Sequence, residues 1–255
     1  MPPFWKIRRE FWRAIGKIRF AILRRTGMRT ALPYHGLTVP LNRTGMNAEI
    51  VRAILSHSYE DPEIRGLRRV VRPGDRVLEL GSGLGVVTAL AARAAAPGGQ
   101  VLSFEANPGM IPETRAFLQS HGISNVEIRH AVLIPGVAPG ETRDFHLASS
   151  FAVGSLLGGT GRRSREVIAV PSEDLNATVA AFAPDVLLCD IEGGEADLIP
   201  ALDASGLRAV VIELHPDRLS AATLDTIRAA LARHGLTADP TPGGTVEVFT
   251  RKAGP

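Results

Sequence analysis

The stretch that most constrains this chain is Val77-Leu78-Glu79-Leu80-Gly81-Ser82-Gly83-Leu84-Gly85-Val86-Val87-Thr88. A short apolar run carrying an acid leads into glycines at every second position, then into an apolar, Ala-rich segment from Val86 to Ala96. The pattern predicts a buried strand, a tight glycine loop and a helix. Glycine lets such a loop take positive φ and brings bare backbone against a ligand. In an open α/β sheet that ligand sits outside the carboxyl ends of the strands. A second run, Gln100-Val101-Leu102-Ser103-Phe104-Glu105, also ends in an acid. A carboxylate about twenty residues beyond the loop can accept hydrogen bonds from both ribose hydroxyls.

The spacing also bears on which nucleoside is held. A dinucleotide fingerprint reads G-x-G-x-x-G, so that a pyrophosphate rests on the helix N-terminus. Here the spacing is G-x-G-x-G, Val86 stands where the last glycine would be, and Glu79 precedes the loop. A carboxylate at that point repels a pyrophosphate and suits a ligand carrying an ammonium, such as the methionine part of S-adenosylmethionine. The expected cofactor is therefore a methyl donor rather than NAD. An NAD-dependent oxidoreductase stays as one rival. A non-catalytic binding module of the same fold, docked through the N-terminal arm, is the other.

Composition narrows the setting. Cys189 is the only cysteine, so no internal disulfide can form, and a reducing cytoplasm is the expected compartment. No apolar run approaches the roughly 18 residues needed to span a bilayer. The net charge of +3 is unevenly placed: residues 1–30 hold nine Lys and Arg against Glu10, a net +8 that leaves −5 for the rest. The body is mildly acidic and no nucleic-acid partner is expected for it. In the basic arm, Phe4, Ile7, Phe11, Ile15, Ile18 and Ile22 form one apolar stripe at helical spacing, flanked by Trp5 and Trp12. Such a helix could make peripheral membrane contact through residues 4–23, or pack on the body or on a second copy in a homo-oligomer.

Read in order, residues 26–47 form a loop or short strands, with Leu37–Leu41 an edge-strand candidate. Ala48 to His57 is helical, and Ser58 to Glu63 opens a second helix running to Val71. Tyr59 and Glu60 could fold over a cofactor mouth or simply start that helix. After Glu105, Asn107-Pro108 starts a helix stopped by Gly122, and Asn125–Val132 is the third strand. Thr142–Leu147 and Ser164–Val170 alternate and predict two antiparallel strands around a polar loop at 148–163, either a lid or substrate wall or a disordered surface loop. A helix over Ser172–Phe182, with Ser172 as N-cap and Glu173 and Asp174 in its first turn, follows. Then come the strand Asp185–Cys189, a helix through Leu202, the strand Arg208–Leu214, the helix Leu219–His234 and an antiparallel final strand, Thr245–Thr250. Strands alternating with helices argue an α/β fold, a mainly parallel sheet with helices on both faces. Three segments are expected: a basic amphipathic helix at 1–30, a cap or linker at 31–74, and the α/β domain at 75–255 with a β insertion near 142–170.

Four groups of residues give the chain a family resemblance: Tyr59-Glu60 with Arg72-Pro73-Gly74-Asp75; the loop from Glu79 to Thr88; Phe104-Glu105-Ala106-Asn107-Pro108; and Asp190-Ile191-Glu192-Gly193-Gly194-Glu195 with Glu213-Leu214-His215-Pro216. With these, residues 55–250 resemble the FkbM family of S-adenosylmethionine-dependent methyltransferases. The resemblance implies the Rossmann-like class I methyltransferase fold, with seven strands, and methyl transfer to a hydroxyl of a small-molecule or glycosyl acceptor. One departure is visible. The family's first loop usually reads Asp-x-Gly-Ala-Asn-x-Gly, and this chain carries Glu79, Ser82 and Gly83, a form common among class I methyltransferases generally.

On this reading Glu79 faces the methionine ammonium or adjacent backbone amides. Gly81, Ser82, Gly83 and Gly85 form the backbone wall, and Glu105 takes the ribose hydroxyls. Ala106 and Asn107 border the adenosine, and His130 and Ala131 flank the adenine. Asp190, Glu192, Glu213 and His215 close two central strands and should face one crevice. Three readings of them stand open. Asp190 or His215 could be the general base; the carboxylates, Glu192 among them, could hold a hard divalent cation, which is not expected; or all could cap helices and bind loop backbone. Cys189 precedes Asp190 and should point to the opposite side, into the core.

Overall fold

The computed structural model describes residues 31–147, 166–239 and 244–251, together with helical positions at 15, 18, 21, 22 and 25. Most of the amphipathic arm, and the whole of the loop at 148–163, lie outside the described residues. Ile18 and Ile22 of the arm's predicted apolar stripe are exposed. No helix among the described residues is long and apolar enough to cross a membrane.

Two compact units divide the chain, Met1–Asp61 and Pro62–Pro255. In the first, β1 (Ala31–Tyr34) and β2 (Leu37–Pro40) pair antiparallel. His35 and Gly36 both take positive φ, 47° and 77°, as a two-residue hairpin turn of the primed type requires. Helix α1 (Ala48–Leu55) starts where Asn47 Oδ1 accepts from the amides of Glu49 and Ile50. Tyr59 is buried, with its carbonyl accepting from the Tyr34 hydroxyl at 2.5 Å.

The second unit begins earlier than the expected boundary at 74–75, because α2 (Asp61–Val70) packs on the sheet. A Cβ added at Gly66 would lie 2.7 Å from Val211 and 3.1 Å from Val248, so only glycine allows this approach. The chain continues through β3 (Arg76–Leu80), α3 (Val86–Ala95), β4 (Gln100–Phe104), α4 (Met110–Ser120), β5 (Val126–Arg129), β6 (Val132–Ile134), β7 (Thr142–Leu147), β8 (Glu166–Asp174) and α5 (Leu175–Phe182). The last elements are β9 (Val186–Cys189), α6 (Glu195–Ala201), β10 (Ala209–Glu213), α7 (Ala221–Arg233), β11 (Leu236–Asp239) and β12 (Val246–Arg251).

Seven strands form one sheet in the order β11-β12-β10-β9-β3-β4-β5. The pairs β3–β4, β3–β9, β9–β10 and β4–β5 are parallel, and β12 runs antiparallel to both β10 and β11. This is the expected seven-stranded architecture; the seventh strand is β11, whose short Leu236–Asp239 run was not assigned from the sequence. Every residue of β9 is buried, which requires cover on both faces. Leu78, Leu80, Leu187, Cys189, Val210, Ile212, Ile227, Leu231 and Phe249 belong to one buried apolar cluster.

Two local expectations need correcting. The predicted third strand, Asn125–Val132, breaks at His130-Ala131. Up to Arg129 it pairs with β4, and from Val132 it leaves the main sheet to pair in parallel with β8. The predicted helix cap at Ser172 is instead strand. Ser172 is buried and pairs with Val132 in the three-stranded sheet β6-β8-β7. The N-cap is Asp174, whose side chain accepts from Ala177 N, so the helix is capped two residues later than expected. The antiparallel pair β7–β8 does form, from Thr142↔Pro171 to Leu147↔Glu166.

Candidate active site

Register brings the site together. Leu80 is paired with Phe104 on one side and Cys189 on the other, and Cys189 with Ile212. The residues that follow these four, Gly81, Glu105, Asp190 and Glu213, therefore stand in one row at the end of the sheet, Glu213 still paired with Val246. The order of strands reverses between β3 and β9, and a crevice opens outside such a switch point.

The glycine loop is built by contacts no larger residue permits. Gly81 has φ +91°, and a Cβ there would lie 2.2 Å from the Asp190 carbonyl oxygen. Gly85 has φ +74°, and its Cβ would meet Thr114 Cγ2 at 2.4 Å. Gly85 N donates to Ser82 O at 2.7 Å, and the Thr114 hydroxyl donates to Gly83 O at 3.2 Å. The loop thus lies flat against β9 and α4, with the N-terminus of α3 rising from it.

Glu105 is clamped beneath this loop. Its Oε2 accepts from Gly83 N at 3.0 Å and Ser82 Oγ at 3.2 Å, and its Oε1 accepts from Asn107 N at 2.8 Å. Burial pushes its carboxyl above the usual value of 4.5, and the hydrogen bonds from Asn107, Gly83 and Ser82 work against that rise. A carboxylate offers about four acceptor sites, so three donors leave room for a ribose hydroxyl. Glu79 is deeper, 1% exposed, and its Oε2 accepts from Thr88 Oγ1 at 2.7 Å and Ser103 Oγ at 2.5 Å. It ties β3 to α3 and β4 immediately under the loop. Ala131 is buried and His130 half-buried at the break between β5 and β6; His130 Nε2 lies 3.1 Å from Ala106 O. Asn107 Oδ1 accepts from Gly109 N, turning the chain into α4.

Beside the loop stands an acidic group around one histidine. His215 Nε2 lies 3.8 Å from Asp190 Oδ1, 3.5 Å from Glu192 Oε2 and 3.9 Å from Glu213 Oε2. Its Nδ1 faces Glu195 Oε1 at 3.4 Å. Burial acts to lower the His215 pKa, but Glu195 first, then Glu192 and Glu213, outweigh it, and the net shift is upward. Burial likewise raises Glu192, against the pull of His215 and Arg218. Arg218 holds Glu192 twice, at its side chain (2.9 Å) and its carbonyl (2.6 Å). The Thr245 hydroxyl donates to Glu213 Oε1 at 2.6 Å. Glu192 takes positive φ, 57°, followed by Gly193 at 109°. That turn swings Glu195 back under the row of strand ends. Cys189 packs into the core, and burial raises its thiol well above its ordinary range.

Glu195 had no role assigned from the sequence, although it stands in the quoted motif. It is fully buried, accepts from Ile191 N at 3.2 Å and touches His215. Spacing alone conceals this, because only the Glu192-Gly193 turn makes positions 190 and 195 neighbours.

Comparison with known proteins agrees with this geometry. Residues 81–236 match the family model described as the methyltransferase FkbM domain. A stretch of 64 residues is 38% identical to the catalytic subunit of the tRNA (adenine(58)-N(1))-methyltransferase of Cryptococcus neoformans, covering 25% of this chain and 15% of that protein. Another, of 58 residues, is 40% identical to protein-L-isoaspartate O-methyltransferase 2 of Archaeoglobus fulgidus, covering 23% of this chain and 26% of that one. These curated relatives are thus matched over a minor part of their own length. Among solved structures the chain is similar to precorrin-6y C5,15-methyltransferase of Geobacter metallireducens, at 15% identity and a TM-score of 0.46 over 76% of this chain and 89% of that one. The family match takes in more than half of the chain, the glycine loop and the acid–histidine group included, and on that ground the chain belongs to the FkbM family of methyltransferase domains.

Proposed function

We propose that this protein moves a methyl group from S-adenosylmethionine to a hydroxyl of a small-molecule or glycosyl acceptor. The observation that carries the reading is the contact of Gly81 with the Asp190 backbone. It sets a nucleoside-binding loop directly against a group of acids and a histidine. Glu105 takes the ribose hydroxyls and Gly81, Ser82, Gly83 and Gly85 line the donor, while Glu79, engaged by Thr88 and Ser103 rather than facing the donor's ammonium, braces the loop from below. Ala106, Asn107, His130 and Ala131 border the base.

The donor supplies an electrophilic methyl on a sulfonium; a C–O bond forms as the C–S bond breaks, its electron pair staying on sulfur. The acceptor oxygen must be held in line for that displacement and must lose its proton. Asp190, Glu192 and His215 stand where the hydroxyl would be held and its proton received. An acceptor nitrogen with a free lone pair needs no such group before attack, which is why the cluster favours oxygen.

The test is incubation with methyl-labelled S-adenosylmethionine and a panel of sugars, phenols and other alcohols, with transfer RNA and protein alongside. Label in alkali-stable methyl ethers is expected. Label confined to nucleobase nitrogens or to alkali-labile carboxyl esters overturns the acceptor class. Donor bound without turnover on any acceptor favours the non-catalytic module.

A further inference from the structure

Three element ends converge beside the donor loop. Asp190 follows β9, Glu195 opens α6 and His215 follows β10; one donor atom from each lies within 4.8 Å of the other two. The contacts around the imidazole are an awkward length for hydrogen bonds. Asp190 Oδ1 to Nε2 is 3.8 Å and Glu195 Oε1 to Nδ1 is 3.4 Å, beyond the roughly 2.7–3.2 Å of a good N–H···O bond. They use opposite nitrogens of the ring, so one cation takes only one of the two; one ligand atom from each of Asp190, Glu195 and His215 nevertheless fits within 4.8 Å, the span of two ligands sharing a cation at bonds of about 2.4 Å.

Burial adds an independent observation. Glu195 is fully buried and its Oε2 has no hydrogen-bond partner, while Nδ1 of His215, whose side chain is only 10% exposed, has the long 3.4 Å contact with Glu195 Oε1. A buried carboxylate oxygen of this kind is costly to leave unmatched, and a cation seated beside it would match it. Two further carboxylates, Glu192 and Glu213, face Nε2 at 3.5 and 3.9 Å and deepen the negative potential there. Carboxylates outnumber nitrogen and the neighbouring thiol, Cys189, belongs to the core, so the donor set suits a hard ion rather than a soft one.

We propose that Asp190, Glu195 and His215 bind a divalent cation of the magnesium or manganese class. The use of that ion rests on the hydroxyl-methylation reading: a coordinated hydroxyl is more acidic, and its proton passes to Glu192 as the oxygen takes the methyl. Its binding does not rest on that reading.

The test is titration of the EDTA-dialysed full-length chain with Mn2+, following the free ion by its electron paramagnetic resonance signal, with neither donor nor acceptor present. One ion per chain is expected, displaced by Mg2+, and weakened at least about tenfold in Asp190→Asn and in Glu195→Gln. Should Glu195→Gln fail to fold, Asp190→Asn decides, because the Asp190 side chain is 31% exposed. No Mn2+ bound at about 1 mM, the weak end of protein sites, overturns the proposal, and so does unchanged binding in a folded Asp190→Asn. A protein that binds the ion yet methylates no hydroxyl leaves this site standing and removes only the acceptor reading.

Discussion

Two residues carry separable predictions. Glu105 is buried with a raised pKa, so the folded state favours its neutral form. Its contribution to stability is therefore greatest below its ordinary value of 4.5 and is lost as pH rises through the raised value. A bound ribose diol donates to the carboxylate and favours the charged form. Affinity for S-adenosylmethionine should then weaken as pH falls through that raised value, by up to about tenfold per unit. Calorimetric titration across this window checks it, and Glu105→Gln should flatten the dependence. In Glu105→Ala, losing a charged acceptor should weaken binding about 10–100-fold at neutral pH; unchanged affinity removes the ribose role. Gly81 tests the scaffold instead. Alanine there meets both an unfavourable φ and the Asp190 carbonyl at 2.2 Å, so Gly81→Ala should cost at least about 2 kcal/mol in urea unfolding. A variant as stable as the parent would mean the loop is not pressed on β9.

At the scale of elements, β12 does more than close the sheet. Leu214 N donates to Thr245 O at 2.8 Å, and the Thr245 hydroxyl holds Glu213 at 2.6 Å. The start of the last strand thus fixes the turn that carries His215. Thr245→Val keeps the volume and removes the hydroxyl from an exposed position. It should change stability by less than about 1 kcal/mol while lowering kcat about threefold to tenfold, since small misplacements near the reacting atoms are expensive. Thr245→Ser should restore the rate; a kcat indifferent to both variants dismisses the role. This coupling could not be read beforehand, because Glu213 and Thr245 meet only through an antiparallel crossover. What was legible follows the same logic. Val77–Gly85 and Gln100–Glu105 declare themselves because a buried parallel strand, a glycine turn and an acid are all local signals. The break at His130-Ala131 and the strand through Ser172 were not legible. Each depends on the two segments pairing with one another as β6 and β8, and Ser172 followed by two acids imitates a helix start.

At the scale of the molecule, Gly81, Glu105 and Asp190, the proposed donor site, follow the ends of β3, β4 and β9 in the middle of the seven-stranded sheet. A ligand held there bridges elements that must separate when the second unit unfolds, so binding and thermal stability are linked. At a concentration of about 100 times its dissociation constant, S-adenosylmethionine should stabilise by about 2.7 kcal/mol. For a unit of this size that is a rise in Tm of about 5–10 °C. NAD, whose pyrophosphate would meet Val86 where the dinucleotide spacing has its last glycine, should produce none. Differential scanning fluorimetry with each compound reads the two together. A shift with NAD and none with S-adenosylmethionine would return the chain to the oxidoreductase rival, despite its sheet order. The comparison has force because both ligands would occupy the same crevice, and the spacing of the glycine loop is what distinguishes them.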